Sequence, residues 1–112
     1  MEIPATRRQH PRAPLRLPIE FAVTTPFESA VMKTISAGGL CIVTSTPPVV
    51  GTRLLVRFAI PGGEPEPVNA VGVTVWTRLV RPQKVEVGIK FIGLRDDSFS
   101  RLQKYCAENG TL

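Results

Sequence analysis

Two short groups of residues have the types and spacing that could do chemistry in this sequence. Arg8 and Arg12 are four positions apart in a proline-rich segment, and two guanidinium groups at that spacing match a ligand with several acceptor groups. Arg7 and Arg16 add to the same positive field. Later, the stretch 34–39 (TISAGG) places short hydroxyl side chains beside glycines, which let the backbone approach a ligand closely. Both groups favour binding of a ligand.

Groups for catalysis are scarce. The one histidine of the chain, His10, lies among prolines and arginines, and a general base needs a rigid neighbourhood that this segment does not supply. Asp96 and Asp97 have the position of a helix cap, and Glu64 and Glu66 belong to a loop that should face solvent. Histidine, cysteine and carboxylate side chains do not cluster with the spacing of a metal site. We expect no enzyme activity, no metal and no cofactor.

The composition indicates what class of protein carries the two groups. The chain has 112 residues, of which 43% are hydrophobic and 21% charged, as expected for one domain with its own core. A net charge of +5 makes an anionic partner plausible. Because no apolar run has the length of a membrane helix and no signal-peptide pattern is present, we expect a cytoplasmic protein. Cys41 and Cys106 lie in apolar or helical stretches and should be buried, reduced thiols.

The elements that position the two groups are predicted to be strands. Residues 1–14 are interpreted as a flexible arm, since prolines and arginines dominate and no periodicity is present. From residue 15 onward apolar and polar residues alternate, which indicates a half-buried strand with Pro18 at an edge or with its ring nitrogen facing outward. The same alternation, bounded by proline and glycine turns, predicts the strands 15–23, 28–35, 40–44, 53–60, 68–78 and 84–92.

Alternation within these strands also predicts which side chains share a face of the sheet. In the fourth strand Leu54, Val56 and Phe58 share one face. In the fifth, the valines at 71, 73 and 75 share one face, and Trp76, on the other, is interpreted as a half-buried part of the barrel wall. Two glycines, Gly72 and Gly88, are interpreted as positions that relieve crowding in the barrel.

Only the C-terminal segment has helical periodicity. Phe99, Leu102 and Cys106 recur at i, i+3 and i+7, and Gly110 follows where a helix would stop. Six short strands followed by one amphipathic helix indicate an all-β fold: a closed or nearly closed six-stranded antiparallel barrel with the helix against one end or side. The barrel and helix are predicted to span 15–112, preceded by the 1–14 arm.

Taken together, the two groups indicate a protein family far more specifically than either group does alone. The segment RQHPR at 8–12, followed by TISAGG at 34–39, resembles the PilZ domain family, whose signatures are Arg-x-x-x-Arg and Asp/Asn-x-Ser-x-x-Gly. The resemblance extends through 39–40, 48–51, 72–76 and 87–91 and covers about residues 7–108. PilZ domains are six-stranded antiparallel barrels, and many are receptors for the bacterial second messenger cyclic di-GMP.

The resemblance implies a role for each matching residue. Arg8 and Arg12 would bind the phosphates and guanine edges of cyclic di-GMP, and guanine O6 and N7 do form a face that a guanidinium matches with two hydrogen bonds. Ser36 and Gly39 would contact a base. Arg7 stands where PilZ proteins with arginine take up an intercalated pair of ligand molecules. The predicted ligand residues are Arg7, Arg8, Arg12, Thr34, Ser36, Gly38 and Gly39.

One position departs from the family's pattern. Thr34 stands where the family has Asp or Asn, and a hydroxyl cannot accept from the N1–H and N2–H pair of guanine as a carboxylate can. That loss would cost about 1–3 kcal/mol, or roughly tenfold to a hundredfold in affinity. Some PilZ domains lack the ligand motifs and act only through protein partners.

We hypothesise that the chain is a non-enzymatic cyclic di-GMP receptor that orders its arm when ligand binds and passes the signal to a protein partner. The resemblance implies a process such as motility or biofilm formation. One alternative is a degenerate PilZ adaptor that binds a protein partner without useful cyclic di-GMP affinity. Another is a basic barrel that binds nucleic acid, which is disfavoured because few aromatic side chains can be spared from the core for base stacking.

Overall fold

Six antiparallel strands form the part of the protein that a computed structural model describes, residues 12–23, 27–60 and 66–109. The strands are β1 Arg12–Ala22, β2 Glu28–Ser36, β3 Gly39–Thr44, β4 Arg53–Phe58, β5 Val68–Arg81 and β6 Lys84–Gly93, and the helix α1 spans Asp96–Asn109. The strands close into a barrel in the order β1-β2-β3-β6-β5-β4. The predicted fold, an antiparallel six-stranded barrel with a C-terminal helix, is confirmed.

Two strands extend three residues beyond the range that the alternation predicts; β2, β3 and β6 each extend one residue further, and β4 ends at Phe58 rather than at residue 60. β1 begins at Arg12 rather than at residue 15, because Arg12 and Pro14 pair with Ser36 and Thr34 of β2. This partner lies far along the sequence, so the local pattern gives no sign of it. β5 likewise runs on to Arg81 by pairing with β6. The remainder of the predicted arm, residues 1–11, lies outside the described residues, and the division into arm and barrel stays a prediction.

Alternating side chains of the strands fill the interior, as the pattern predicts. The predicted face of β4 is buried, with Leu54, Val56 and Phe58 all 3% exposed or less. On β5 the small side chains of Ala70 and Thr74 face inward and are buried, whereas the valines at 71, 73 and 75 lie on the other face and are half-buried or exposed. The residues of the core are Ile19, Phe21, Met32, Ile35, Ala37, Leu40, Ile42, Leu54, Val56, Phe58, Ile60, Val68, Ala70, Val87, Ile89, Leu102 and Cys106.

The small residues of β5 are explained by its neighbour. A Cβ atom on Gly72 would collide with the side chain of Ile89, which lies on β6 and fills that part of the interior. The side chain of Ile89 on β6 therefore occupies the space beside Gly72, and close packing leaves no room there for a side chain from β5. This confirms the interpretation of Gly72 as a residue that relieves crowding.

The helix packs against β1 and β2 through the predicted apolar stripe. Leu102 and Cys106 are fully buried and Phe99 partly so, and the Cys106 thiol donates a hydrogen bond to the Ile35 carbonyl oxygen at 3.3 Å. Cys41 and Cys106 are both buried and neither forms a disulfide, as predicted. Among the residues described, no helix has the length and apolar character needed to cross a membrane.

Candidate functional site

The turn between β2 and β3 is shaped by the hydroxyl of Ser36. Its Oγ accepts hydrogen bonds from the N–H groups of Gly38 and Gly39, both at 3.2 Å, and donates to the Gly39 carbonyl oxygen at 3.3 Å. Ser36 is 7% exposed, so these bonds form largely out of contact with water. Ser36 thus fixes the conformation of the backbone that carries the rest of this motif.

The same turn is held from the other side by β6. The N–H of Phe91 donates to the Gly38 carbonyl oxygen at 3.0 Å, and Gly39 pairs with Lys90. A Cβ atom on Gly39 would collide with the carbonyl oxygen of Ile89. Glycine is required here because two backbones approach too closely for any side chain.

The register between β1 and β2 brings the two predicted motifs together. Arg12 is the Cα partner of Ser36, and Pro14 is the partner of Thr34. The first described residue of β1 therefore lies beside the β2–β3 turn. Five of the seven predicted ligand residues are thus neighbours in the structure: Arg12, Thr34, Ser36, Gly38 and Gly39. The other two, Arg7 and Arg8, lie outside the described residues.

A row of residues across four strands extends from this motif along the outside of the barrel. Thr34 pairs with Cys41, Cys41 with Gly88, and Gly88 with Trp76. Trp76 is 41% exposed, and a Cβ atom on Gly88 would overlap its indole ring. The two residues between Thr34 and the indole, Cys41 and Gly88, are therefore small. We refer to the outer surface formed by these four residues as the Thr34–Trp76 row.

The sequence predicts a half-buried Trp76 on the face opposite the valines of β5, whereas the structure places its indole exposed on the outside of the barrel. The interpretation of Gly88 as a position that relieves crowding is confirmed, because a side chain there would overlap this indole. No local pattern in the sequence places Trp76 beside the predicted motif. A register shift between Thr74 and Trp76 changes the alternation of β5 just before the indole, and such a shift leaves no clear mark in a single sequence. The aromatic residue in an otherwise aliphatic strand was the one available signal.

Next to the Thr34–Trp76 row, Glu86 joins two cations that come from different strands. It is 5% exposed and accepts hydrogen bonds from the ammonium of Lys33 and from Arg78 Nη2, the latter at 2.6 Å. The hydrogen bond from Lys33 lowers the pKa of the Glu86 carboxyl, burial opposes this effect, and Arg78 adds to the lowering. The residues described contain no group of three His, Cys, Asp or Glu side chains that could hold a metal ion.

This ion cluster makes a testable contribution to stability. We expect Glu86→Gln to lower the free energy of unfolding by about 1–2 kcal/mol at pH 7, less than for a fully buried pair because both cations are half exposed. Because the folded-state pKa lies below the usual value of 4.5, the stabilisation is complete above that value and is lost as pH falls through the lower folded-state pKa. Urea denaturation over a pH series measures both effects.

The matched control is Glu20→Gln, because Glu20 pairs with Arg57 at 2.9 Å with both side chains substantially exposed. We expect a change of less than about 0.5 kcal/mol for this variant. If wild type and Glu86→Gln lost stability in parallel below pH 5, the cluster would not be a source of the acid sensitivity.

The family of the chain follows from a comparison with known sequences. The family model of the PilZ domain matches residues 6–108, which include both motifs, the whole barrel and all but the last residue of α1. The chain belongs to the PilZ domain family. The match indicates no catalytic family, and no curated protein matches the sequence.

Solved structures show the same fold as this PilZ domain. The inhibitor of motility MotI/DgrA of Bacillus subtilis superposes with a TM-score of 0.82 at 19% identity, over 91% of this chain and 50% of that one. The PilZ domain of YcgR from Escherichia coli with c-di-GMP gives 0.68 at 13% identity, over 92% and 91%. The PlzA protein of Borreliella burgdorferi, in complex with c-di-GMP, gives 0.67 at 14%, over 88% and 40%. The chain therefore spans half the length of the Bacillus protein and less of PlzA.

Proposed function

We propose that this PilZ domain is a non-enzymatic receptor for cyclic di-GMP. The observation that carries the proposal is the β1–β2 register, which makes Arg12 the partner of Ser36 and so joins two motifs that lie apart in the sequence. Family membership supports it, as do the YcgR and PlzA structures, which contain c-di-GMP. The ligand would lie against the outside of the barrel, over the Thr34–Trp76 row.

The predicted ligand residues and the indole of Trp76 would have distinct tasks in binding. Arg8 and Arg12 would bind the phosphates and the O6/N7 edge of guanine, with Arg7 beside them for a second, intercalated ligand molecule. Ser36 would act mainly by holding the turn, since its hydroxyl is already bonded to the backbone of residues 38 and 39. The exposed indole of Trp76 would supply an apolar contact for a base.

The experiment that tests the proposal is calorimetric titration with cyclic di-GMP, followed in parallel by the fluorescence of Trp76, the only tryptophan of the chain. We expect saturable binding at micromolar concentration or tighter, a change in indole emission and no competition by GTP. Two ligands per chain would support the role given to Arg7. Absence of heat and of any fluorescence change at millimolar ligand would contradict the receptor.

The signal would leave this domain through a change in the arm and contact with a protein partner. Arg7 and Arg8 belong to residues 1–11, so ligand contacts there would order the segment and alter the surface it offers. We expect amide hydrogen exchange within 1–11 to slow when cyclic di-GMP is added. Unchanged exchange in the saturated complex would contradict this part of the proposal.

Thr34 favours a second candidate, a PilZ adaptor that has lost useful ligand affinity. We expect Thr34→Asp to tighten cyclic di-GMP binding roughly tenfold to a hundredfold, because a carboxylate accepts both N1–H and N2–H of guanine. Thr34 is partly exposed at the edge of the face, so the longer side chain has room to turn outward. Calorimetry measures the change.

The control for this variant is Ser100→Asp, which adds the same charge on the exposed side of α1. It should leave the affinity unchanged. If only Thr34→Asp bound measurably, the wild-type chain would be the adaptor. If Thr34→Asp bound no more tightly than wild type, position 34 would not face the guanine edge.

A further inference from the structure

The end of the β5–β6 hairpin is an exposed two-stranded ribbon, residues 75–84. Every residue of β5 from Val75 to Arg81 is exposed, and so is the turn that follows to Lys84. Large apolar side chains contribute to this surface, with Leu79 69% and Val80 53% exposed. Adjoining apolar residues left open to water in this way are typical of a surface that another molecule covers.

One edge of the ribbon has no strand beside it among the residues that the structure describes. β4 pairs with β5 only over residues 68–73, and two further hydrogen bonds join Thr74 to Gly51 and Thr52. Beyond Thr74, β5 pairs with β6 alone. Backbone N–H and C=O groups of 75–81 on the far side from β6 are therefore available to an added strand.

The charge of the ribbon is of one sign. Arg78, Arg81 and Lys84 lie on it, and the sequence contains no acidic residue from 67 to 85. Glu86, the first carboxylate beyond, is already bonded to Lys33 and Arg78. Because Arg78 is paired with Glu86, the cations that an approaching segment meets are Arg81 and Lys84 at the tip of the ribbon, for which the described residues supply no ion-pair partner.

A cavity of about 420 Å³ lies between the ribbon and the outer face of β2 and β3. Its walls combine apolar side chains with cations and with one carboxylate, Glu86, which is already paired with Lys33 and Arg78. A small apolar group could therefore enter the cavity while acidic neighbours remain near the rim. The lining includes Val31, Val43, Val80, Arg81, Lys84 and Glu86.

We propose that the ribbon is a docking site for an acidic, extended segment of a partner protein, which adds a strand to the free edge of β5. Main-chain hydrogen bonds would provide affinity, and the cations and the cavity would select acidic residues alternating with apolar ones. A second copy of this chain fits poorly, because edge-to-edge pairing would bring two positive ribbons together. Nucleic acid offers the charge but no peptide backbone to pair with. The proposal does not depend on cyclic di-GMP binding.

The test uses the full chain and a synthetic peptide in which Glu alternates with Val. We expect saturable binding by titration calorimetry and slowed amide hydrogen exchange in residues 75–81. The same peptide with alternate amides N-methylated keeps its charge but loses one hydrogen-bonding edge, and it should bind at least about tenfold more weakly. A peptide with Lys in place of Glu should not bind.

Charge reversal on the protein completes the test. The double variant Arg81→Glu/Lys84→Glu should weaken binding of the Glu–Val peptide at least about tenfold, whereas Arg53→Glu/Lys104→Glu, with the same change in net charge elsewhere on the surface, should not. Circular dichroism and thermal unfolding check that each variant is folded.

Three results would overturn the proposal. The first is no binding of the Glu–Val peptide at millimolar concentration. The second is equal binding of the N-methylated peptide, which would reduce the interaction to charge alone. The third is slowed exchange in 75–81 caused by a DNA duplex, by anionic phosphatidylglycerol vesicles or by self-association in the absence of any peptide. Failure of cyclic di-GMP binding would leave all of these measurements interpretable.

Discussion

Replacing Arg8 and Arg12 together with alanine should weaken cyclic di-GMP binding by two to four orders of magnitude. Each guanidinium that bonds a phosphate or the guanine edge contributes about 1.5–3 kcal/mol, and both would be lost. The β1–β2 register places the backbone of Arg12 opposite Ser36, beside the β2–β3 turn. Titration calorimetry of the two single variants and the double variant measures the loss.

Two controls separate a specific contact from general attraction. Arg53→Ala/Lys104→Ala removes the same net charge from exposed positions on β4 and α1 and should change the affinity less than about threefold. Arg8→Lys/Arg12→Lys keeps the charge but loses the two-pronged geometry, and it should recover only part of the binding. Equal losses in the alanine variant and its charge-matched control would refute the assignment of these arginines to the site.

The second large effect is on stability: Gly39→Ala should lower the free energy of unfolding by about 2–4 kcal/mol. The added methyl group would collide with the carbonyl oxygen of Ile89, a backbone atom that β6 pairing keeps in place. Relief requires β3 and β6 to separate, which would also strain the Phe91 to Gly38 hydrogen bond and the Ser36 bonds of the turn. Urea denaturation measures the difference.

Gly51→Ala provides the comparison for this prediction. Gly51 has a φ of +93°, and no atom lies within 4 Å of the position that a Cβ would take. Its cost should be limited to backbone strain of about 1–2 kcal/mol. If Gly39→Ala cost no more than Gly51→Ala, the close approach of β3 and β6 would not be the reason for glycine at position 39. A folded Gly39→Ala that binds cyclic di-GMP normally would separate this glycine from ligand contact.

The number and order of the strands, the buried face of β4 and the C-terminal helix follow from the amino-acid sequence alone. Leu54, Val56 and Phe58 alternate because their strand has water on one side and core on the other, and Leu102 and Cys106 recur at helical spacing for the same reason. These features depend on near neighbours in the chain, so local patterns are sufficient to predict them. Family resemblance added the two motifs, and the match to the PilZ domain over residues 6–108 confirms it.

Strand pairing, rather than any local pattern, brings together the residues of the candidate site. The pairing of Arg12 with Ser36 extends β1 into a segment without alternation, and the row from Thr34 to Trp76 depends on four strands in one register. Glu86 gains its two cations from β2 and β5, far away in sequence. Register is a property of partner strands, and one shift such as that before Trp76 changes which face a side chain occupies. A single sequence records each strand's alternation but not its alignment with the next.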